Sequence, residues 1–110
     1  MRQPLGAALA CALAFVLGGG AAIGTAAAAT THTVVIEAVS YKPETLMVNR
    51  GDTVVWVNKD PFPHTVTSKG AFDSHSIAAG KSWKYTATKP GEFTYICTFH
   101  PNMKGTLTVK

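Results

Sequence analysis

Short runs of β-branched and alternating apolar residues, separated by turn-forming residues, constrain the fold of this chain more than any other feature. These runs are HTVVIEAV (32–39), LMV (46–48), TVVWVN (53–58), HTVT (64–67), SWKYTAT (82–88), FTYIC (93–97) and GTLTV (105–109). Turn sequences such as NRGD (49–52) and KPGE (89–92) separate them. No segment after residue 30 has helical periodicity. Strands that recur every ~8–12 residues between turns predict an all-β domain, either a β-sandwich or a barrel.

Residues 1–29 have the composition of a secretory signal peptide. Arg2 is followed by an apolar stretch rich in Ala, Leu and Gly, and the stretch ends in small residues that satisfy an Ala-x-Ala cleavage pattern. We therefore predict that residues 1–29 are cleaved and that residues 30–110 form one domain. The style of the signal suggests the periplasm of a bacterium. The alternative is a retained anchor, because the uncharged stretch could span a bilayer of ~30 Å.

Removal of the segment that contains Cys11 would leave Cys97 as the only cysteine. A domain of this length buries only ~60–65% of its unfolded surface, so a disulfide or a metal would help to stabilise it. An internal disulfide is excluded once Cys11 is gone. A lone cysteine in an exported protein pairs with another molecule, acts as a reactive thiol or ligates a metal.

The charge of the domain is mildly positive. Without Arg2, the domain has nine Lys and Arg residues and six Asp and Glu residues. This balance favours an acidic docking partner weakly and says nothing about the fold. Nucleic-acid binding is not expected, since the sequence has no Lys/Arg cluster and export would separate the protein from nucleic acid.

Three soft donors lie within the seven residues CTFHPNM (97–103). Cys97 ends a predicted strand, and His100 and Met103 follow on a predicted loop at intervals of three residues. A thiolate, an imidazole and a thioether suit copper better than other metals. His64 is the candidate for a second imidazole, because it directly follows the stiff segment DPFP (60–63) at a strand end.

These residues carry a family resemblance. The segments YKPETLMVNRGDTVVWVNKDPFPHTV and GEFTYICTFHPNMKGTLTV are similar to the small blue-copper proteins, the cupredoxins, and the short Cys-x₂-His-x₂-Met loop is closest to amicyanin. The resemblance implies a Greek-key β-sandwich with one type 1 copper ion. It also implies that His64, Cys97 and His100 are equatorial ligands and that Met103 is the weak axial ligand.

The function that the resemblance implies is single-electron transfer between Cu(I) and Cu(II). Four protein ligands leave no position for a substrate, so we expect no enzymatic activity. We expect an exported monomer, free of the membrane after cleavage, that meets a redox partner transiently, for example a dehydrogenase or a c-type cytochrome. Its docking surface would be an apolar patch around His100, formed by Phe62, Pro63, Phe99 and Pro101.

Two other functions fit the same donors less well. A copper-binding protein for storage, delivery or resistance would use an exposed, exchangeable site, often rich in Met or His, whereas this chain offers a closed four-donor set. A thiol protein with Cys97 as nucleophile and His100 as base would leave His64 and Met103 without a role.

Two positions depart from the pattern that the resemblance implies. Thr65 stands where relatives often have Asn, and we expect its hydroxyl to tie the two ligand-bearing segments together near Thr98. Phe99 replaces a common proline, and we expect its N–H to reach the sulfur of Cys97. Elsewhere, Asn58 and Asp60 are interpreted as turn residues, His32 and His75 as solvated, and Trp56 and Trp83 as core.

Overall fold

The computed structural model describes residues 28–110, and all but the last two residues of the predicted signal peptide lie outside this range. Cleavage of the signal therefore stays a prediction. Within residues 28–110 no helix is long and apolar enough to cross a membrane.

Nine strands make up the described part of the chain. They are β1 (Thr31–Ile36), β2 (Tyr41–Lys42), β3 (Thr45–Val48), β4 (Thr53–Asn58), β5 (Thr67–Ser68), β6 (Phe72–Asp73), β7 (Ser82–Thr86), β8 (Gly91–Cys97) and β9 (His100–Val109).

The strands form two sheets, which confirms the predicted all-β sandwich. One sheet has the order β3-β9-β8-β5-β6 and the other the order β2-β1-β4-β7. The pairs β3–β9 and β1–β4 are parallel, and the remaining pairs are antiparallel. The chain crosses repeatedly from one sheet to the other, so that residues distant in sequence meet at the ends of the sandwich.

The core lies between the two sheets and is rich in aromatic rings. Trp56, on the central strand β4, is fully buried and contacts Tyr95 edge-on at a ring-centroid distance of 5.5 Å. Trp83 packs against this core but is only partly buried, so the prediction that it lies inside the sandwich holds in part. Each of these rings buries a large apolar area, which helps to stabilise a domain this small.

Two segments differ from their sequence-based predictions. The run at 64–67 becomes a strand only at Thr67, because the Thr65 N–H donates to the sulfur of Cys97 and the Val66 N–H donates to the hydroxyl of Ser74. These backbone donors are therefore taken by side chains instead of a neighbouring strand. The predicted loop after Cys97 is also shorter than expected, since β9 already begins at His100.

Gly105 lies opposite Tyr95 in the β8–β9 pair, and the Tyr95 ring covers its backbone. A Cβ at residue 105 would lie 2.5 Å from Tyr95 Oη and 2.7 Å from its Cε1. The ring cannot swing away, because Tyr41 and Trp56 pack against it. We expect Gly105→Ala to lower the free energy of unfolding by about 1–3 kcal/mol, as overpacked cores do.

Chemical denaturation of the Gly105→Ala variant checks this value. The control is Thr106→Ala, at the half-buried neighbouring position on the same strand. Equal stability of Gly105→Ala and the wild type would show that the tyrosine ring is not held as described.

Asp52 joins the start of β1 to the turn before β4 through hydrogen bonds. Its carboxylate accepts hydrogen bonds from the Thr30 N–H at 2.9 Å and the Asn49 N–H at 3.0 Å, and it lies 2.9 Å from His32 Nε2. His32 is therefore paired and partly buried, and the prediction that it is solvated is wrong, whereas His75 is exposed as expected.

The same contacts give stability a pH dependence. The Thr30 N–H, then His32 and the Asn49 N–H, lower the pKa of Asp52 from 3.8 to about 2. A carboxyl group with a depressed pKa in the folded state stabilises the fold above its unfolded pKa, and this contribution is lost as pH falls. We expect the wild type to lose more stability than Asp52→Asn between about pH 4 and pH 2.

Denaturation of both proteins across this range measures the difference. Glu92→Gln, which neutralises an exposed carboxylate, serves as the control. A constant difference between the wild type and Asp52→Asn from pH 5 to pH 2 would contradict the assignment.

Candidate metal centre

Three segments bring the predicted donors to one end of the sandwich. Cys97 ends β8 and pairs with His100 across a two-residue turn. The register of β9 against β8 then shifts between His100 and Lys104, which leaves a bulge that contains Met103. His64 reaches the same place from the segment between β4 and β5 and is held by an isolated bridge to Ile77.

The nitrogen and sulfur donor atoms of three residues face one another. The Sγ of Cys97 lies 3.6 Å from Nδ1 of His64 and 3.7 Å from Nδ1 of His100, and the three donor atoms lie within 4.8 Å of one another. Both distances are within reach of a weak hydrogen bond to sulfur. With metal bonds of about 2.0–2.3 Å, a trigonal arrangement separates nitrogen from sulfur by about 3.7 Å. The spacing therefore fits a single metal ion between them.

Burial differs among the four predicted ligands in a way that suits a metal centre. His64 and Cys97 are fully buried, Met103 is 4% exposed, and His100 is intermediate. Met103 belongs to the same buried cluster as Cys97 and shares a surface cavity with His100. The fold thus brings all four residues to one region, with one imidazole near the surface.

The sulfur of Cys97 accepts one backbone hydrogen bond. Its donor is the N–H of Thr65, at 3.3 Å. Such a bond fixes the orientation of the sulfur and, in a metal site, tunes the charge of the sulfur ligand. The expectation that the Phe99 N–H fills this role is wrong, since within residues 28–110 Phe99 makes no hydrogen bond to this sulfur.

The predicted tie between the ligand-bearing segments is confirmed. The Thr98 N–H donates to Thr65 Oγ1 at 2.9 Å, directly after Cys97. Thr65 therefore contacts the loop at Cys97 through its N–H and at Thr98 through its hydroxyl. Tyr41 adds a third restraint, because its hydroxyl donates to the Thr65 carbonyl at 2.6 Å.

Asp60 orients the buried imidazole of His64. The sequence pattern at Asp60 predicts only a turn residue and does not indicate this role. Its Oδ2 lies 2.7 Å from Nε2 of His64, and its carboxylate also accepts the N–H groups of Ala38 and Val39. Burial raises the pKa of Asp60, but the Val39 N–H, His64 and the Ala38 N–H outweigh it and hold the pKa below its usual range. Because a carboxylate can only accept, the Nε2 proton of His64 points to Asp60, and Nδ1 is the ring nitrogen that faces the sulfur.

Asn58 shapes the segment that carries Asp60 and was also missed. Its fully buried amide donates to the carbonyls of Phe62 and Ile77, both at 2.9 Å, and accepts the Asp60 N–H at 3.0 Å. The only sequence signal for these roles is a carboxylate four residues before His64, a spacing that is also common in ordinary turns.

The predicted apolar patch surrounds the more exposed imidazole. Phe62 is 40% exposed and Phe99 53% exposed, and the Phe62 ring lies 6.0 Å from the His100 ring and 5.2 Å from the His64 ring. The prolines Pro63 and Pro101 are exposed as well. Val39, which was not predicted, extends the patch at 37% exposed.

Comparison with known sequences agrees with this geometry. The family model of the cupredoxin-like domain matches residues 7–109. The chain is 31% identical over 81 residues to amicyanin of Paracoccus versutus, covering 68% of this chain and 61% of that protein. It is 40% identical over 74 residues to plastocyanin of Synechococcus sp. (strain JA-2-3B'a(2-13)), covering 54% of each. The chain thus spans between about half and three fifths of these relatives.

Solved structures give the same result. A Cu(I) form of an amicyanin variant superposes with a TM-score of 0.69 at 28% identity, covering 73% of this chain and 82% of that chain. A Cu-containing nitrite reductase from Thermus scotoductus SA-01 superposes with a TM-score of 0.68 at 32% identity, covering 72% of this chain but 22% of the enzyme. The chain belongs to the cupredoxin-like domain family.

Proposed function

We propose that this protein binds one copper ion through His64, Cys97, His100 and Met103 and carries single electrons. The observation that carries the proposal is the spacing of the two Nδ1 atoms, at 3.6 and 3.7 Å from a buried sulfur. The relatives named amicyanin and plastocyanin, and the Cu(I) form of an amicyanin variant, support it.

The surrounding residues keep the donors in one arrangement. Asp60 fixes the His64 ring, and Thr65 holds the sulfur and the following turn. Bound copper would supply exchange between Cu(I) and Cu(II), with the softer Cys and Met donors favouring Cu(I). Because these hydrogen bonds hold the donors in place, the donors need to move little when the charge of the ion changes. A small reorganisation makes electron transfer fast.

The donor set favours a carrier over an enzyme. Three strong donors and Met103 leave no open position at which a substrate could bind, by the same reasoning that separates closed from catalytic zinc sites. The similarity to the copper nitrite reductase covers only 22% of that enzyme, so it does not extend an enzymatic activity to this chain.

Electrons would enter and leave at His100, the more exposed of the two imidazoles. The apolar patch of Val39, Phe62, Pro63, Phe99 and Pro101 around it suits a small, transient interface with a redox protein. Within residues 28–110 every ion pair of a carboxylate involves a histidine, so the Lys and Arg charges stay available to steer an acidic partner. The proposed partner is a dehydrogenase or a c-type cytochrome. This protein would bind its partner as a monomer.

Export is part of the proposal. The charge and apolar pattern of residues 1–29 supports cleavage after residue 28 or 29 and release into the periplasm. Mass spectrometry of the protein recovered from a periplasmic fraction gives its N-terminus directly. A full-length mass in the membrane fraction would favour a retained anchor.

Electron transfer and copper delivery predict different behaviour on reduction. We would load the protein with one equivalent of copper and cycle it with ascorbate and ferricyanide in the presence of a Cu(I) chelator. A carrier gives a reversible one-electron titration and retains its copper through repeated cycles. Transfer of copper to the chelator on the first reduction would instead indicate storage or delivery.

A further inference from the structure

A chain of three polar contacts connects the ligand loop to a carboxylate at the surface. The Thr98 N–H donates to Thr65 Oγ1 at 2.9 Å. Thr65 Oγ1 lies 3.0 Å from Thr67 Oγ1, which lies 3.0 Å from Asp73 Oδ1. The Asp73 side chain is 46% exposed. The chain therefore runs from the residue after Cys97 to solvent.

The carboxylate gives this chain a direction. The His75 N–H, against an opposing effect of burial, and the Thr67 hydroxyl lower the pKa of Asp73, so it is an anion that can only accept. Thr67 is the donor in both of its contacts, so Thr65 Oγ1 and Asp73 Oδ1 compete for the single proton of the Thr67 hydroxyl. The anionic carboxylate is the stronger acceptor and draws this proton away from Thr65 Oγ1, which leaves the lone pairs of Thr65 Oγ1 free for the Thr98 N–H.

The inner end of the chain is Thr65, the residue whose N–H donates to the sulfur of Cys97. The Thr65 side chain and its backbone N–H are thus fixed together. A shift in the position of Thr65 Oγ1 would change both the contact to Thr98 and, through the backbone of the same residue, the hydrogen bond to sulfur. Hydrogen bonds to a thiolate ligand are among the factors that set the potential of a copper site.

We propose that Asp73 is a positioning residue that turns the Thr67 hydroxyl away from Thr65 Oγ1 and, through the contacts of Thr65, tunes the reduction potential of the copper centre. The effect on the reduction potential rests on the proposed function, because it needs bound copper. The contacts that link Asp73 to Thr98 are present without a metal ion. The contacts from Asp73 through Thr67 and Thr65 to Thr98 are the route of this effect. A purely through-space effect of the Asp73 charge on the copper ion would not depend on them.

The potential is measured for the wild type, Asp73→Asn, Thr67→Val and the double variant, all loaded with copper. Removal of the negative charge raises the potential in Asp73→Asn. If the hydroxyls transmit part of this effect, the shift is smaller in the Thr67→Val background, and Thr67→Ser restores it. Glu92→Gln, which removes an exposed charge on β8, is the control. Equal shifts in both backgrounds would overturn the proposal.

Amide exchange of the copper-free protein gives a second, independent measurement. Loss of the Asp73 carboxylate frees the Thr67 proton to bond Thr65 Oγ1 in competition with the Thr98 N–H. We expect exchange of the Thr98 N–H to accelerate about fivefold in Asp73→Asn, the equivalent of about 1 kcal/mol, and to stay at the wild-type rate when Thr67→Val is added. Unchanged exchange at Thr98 in Asp73→Asn would contradict the connection. This result does not depend on copper, so it separates failure of the chain of contacts from failure of the proposed function.

Discussion

Replacement of Cys97 by serine is expected to abolish the intense visible absorption of the Cu(II)-loaded protein and to weaken copper binding by more than about 100-fold. The absorption arises from charge transfer between a thiolate and Cu(II), and a serine hydroxyl stays protonated and is a poor ligand for a soft ion. Competition with a chelator of known affinity measures the loss of binding, and absorption spectroscopy measures the loss of the band.

The fold should survive this substitution, which makes the result interpretable. Cys97 is fully buried but small, and a serine hydroxyl can accept the Thr65 N–H and donate to Nδ1 of His64. Near-ultraviolet circular dichroism of the metal-free variant should match the wild type. A Cys97→Ser variant that keeps the visible band and the wild-type affinity would exclude a copper–thiolate site.

Replacement of Asp60 by alanine is expected to lower both stability and copper affinity. The variant would leave the Ala38 and Val39 N–H groups and His64 Nε2 without their acceptor. Ala38 and Val39 both have φ of +55°, a conformation that residues other than glycine adopt at a cost and that these hydrogen bonds hold in place. We expect a loss of about 3 kcal/mol in the free energy of unfolding.

The effect on copper follows from the tautomer of His64. Without the carboxylate, the imidazole proton can move to Nδ1, the atom that faces the sulfur. Carboxylate partners of metal-binding histidines contribute about 10–100-fold in affinity, and we expect a loss in that range. Denaturation of the metal-free protein and chelator competition measure the two effects separately.

Glu37→Ala is the matched control, because Glu37 is an exposed carboxylate directly before Ala38 and Val39, whose N–H groups Asp60 binds. It should change neither quantity. If Asp60→Ala binds copper as tightly as the wild type does, the carboxylate does not hold His64 in its binding tautomer.

The sequence was sufficient to predict the sandwich and the four candidate ligands. The continuous apolar run around Trp56 predicts a central strand, and the period-two alternation around Tyr95 predicts a strand with one buried face. Both patterns lie within a few neighbouring residues and can be recognised without the fold. His100 and Met103 follow Cys97 so closely that any loop or bulge keeps them together. His64 was reached through the resemblance and through the prolines before it, since nothing local states that residues 64 and 97 meet.

The supporting residues could not be predicted, for a physical reason. Asp60 and Asn58 act through contacts with Val39 and Ile77, which are about 20 residues away, and such contacts depend on how the loops at one end of the sandwich are stacked. The donor to sulfur shows the same limit. Both Thr65 and Phe99 carry an N–H, and only the three-dimensional path of the chain decides which one points at Cys97.

The visible absorption spectrum of the purified protein during titration with Cu(II) tests the central claim most directly. We predict an intense blue band that saturates at one equivalent, bleaches with dithionite and returns with ferricyanide. A weak or absent band after one equivalent, in a protein that is folded and has a free Cys97 thiol, would contradict a copper centre built from His64, Cys97, His100 and Met103.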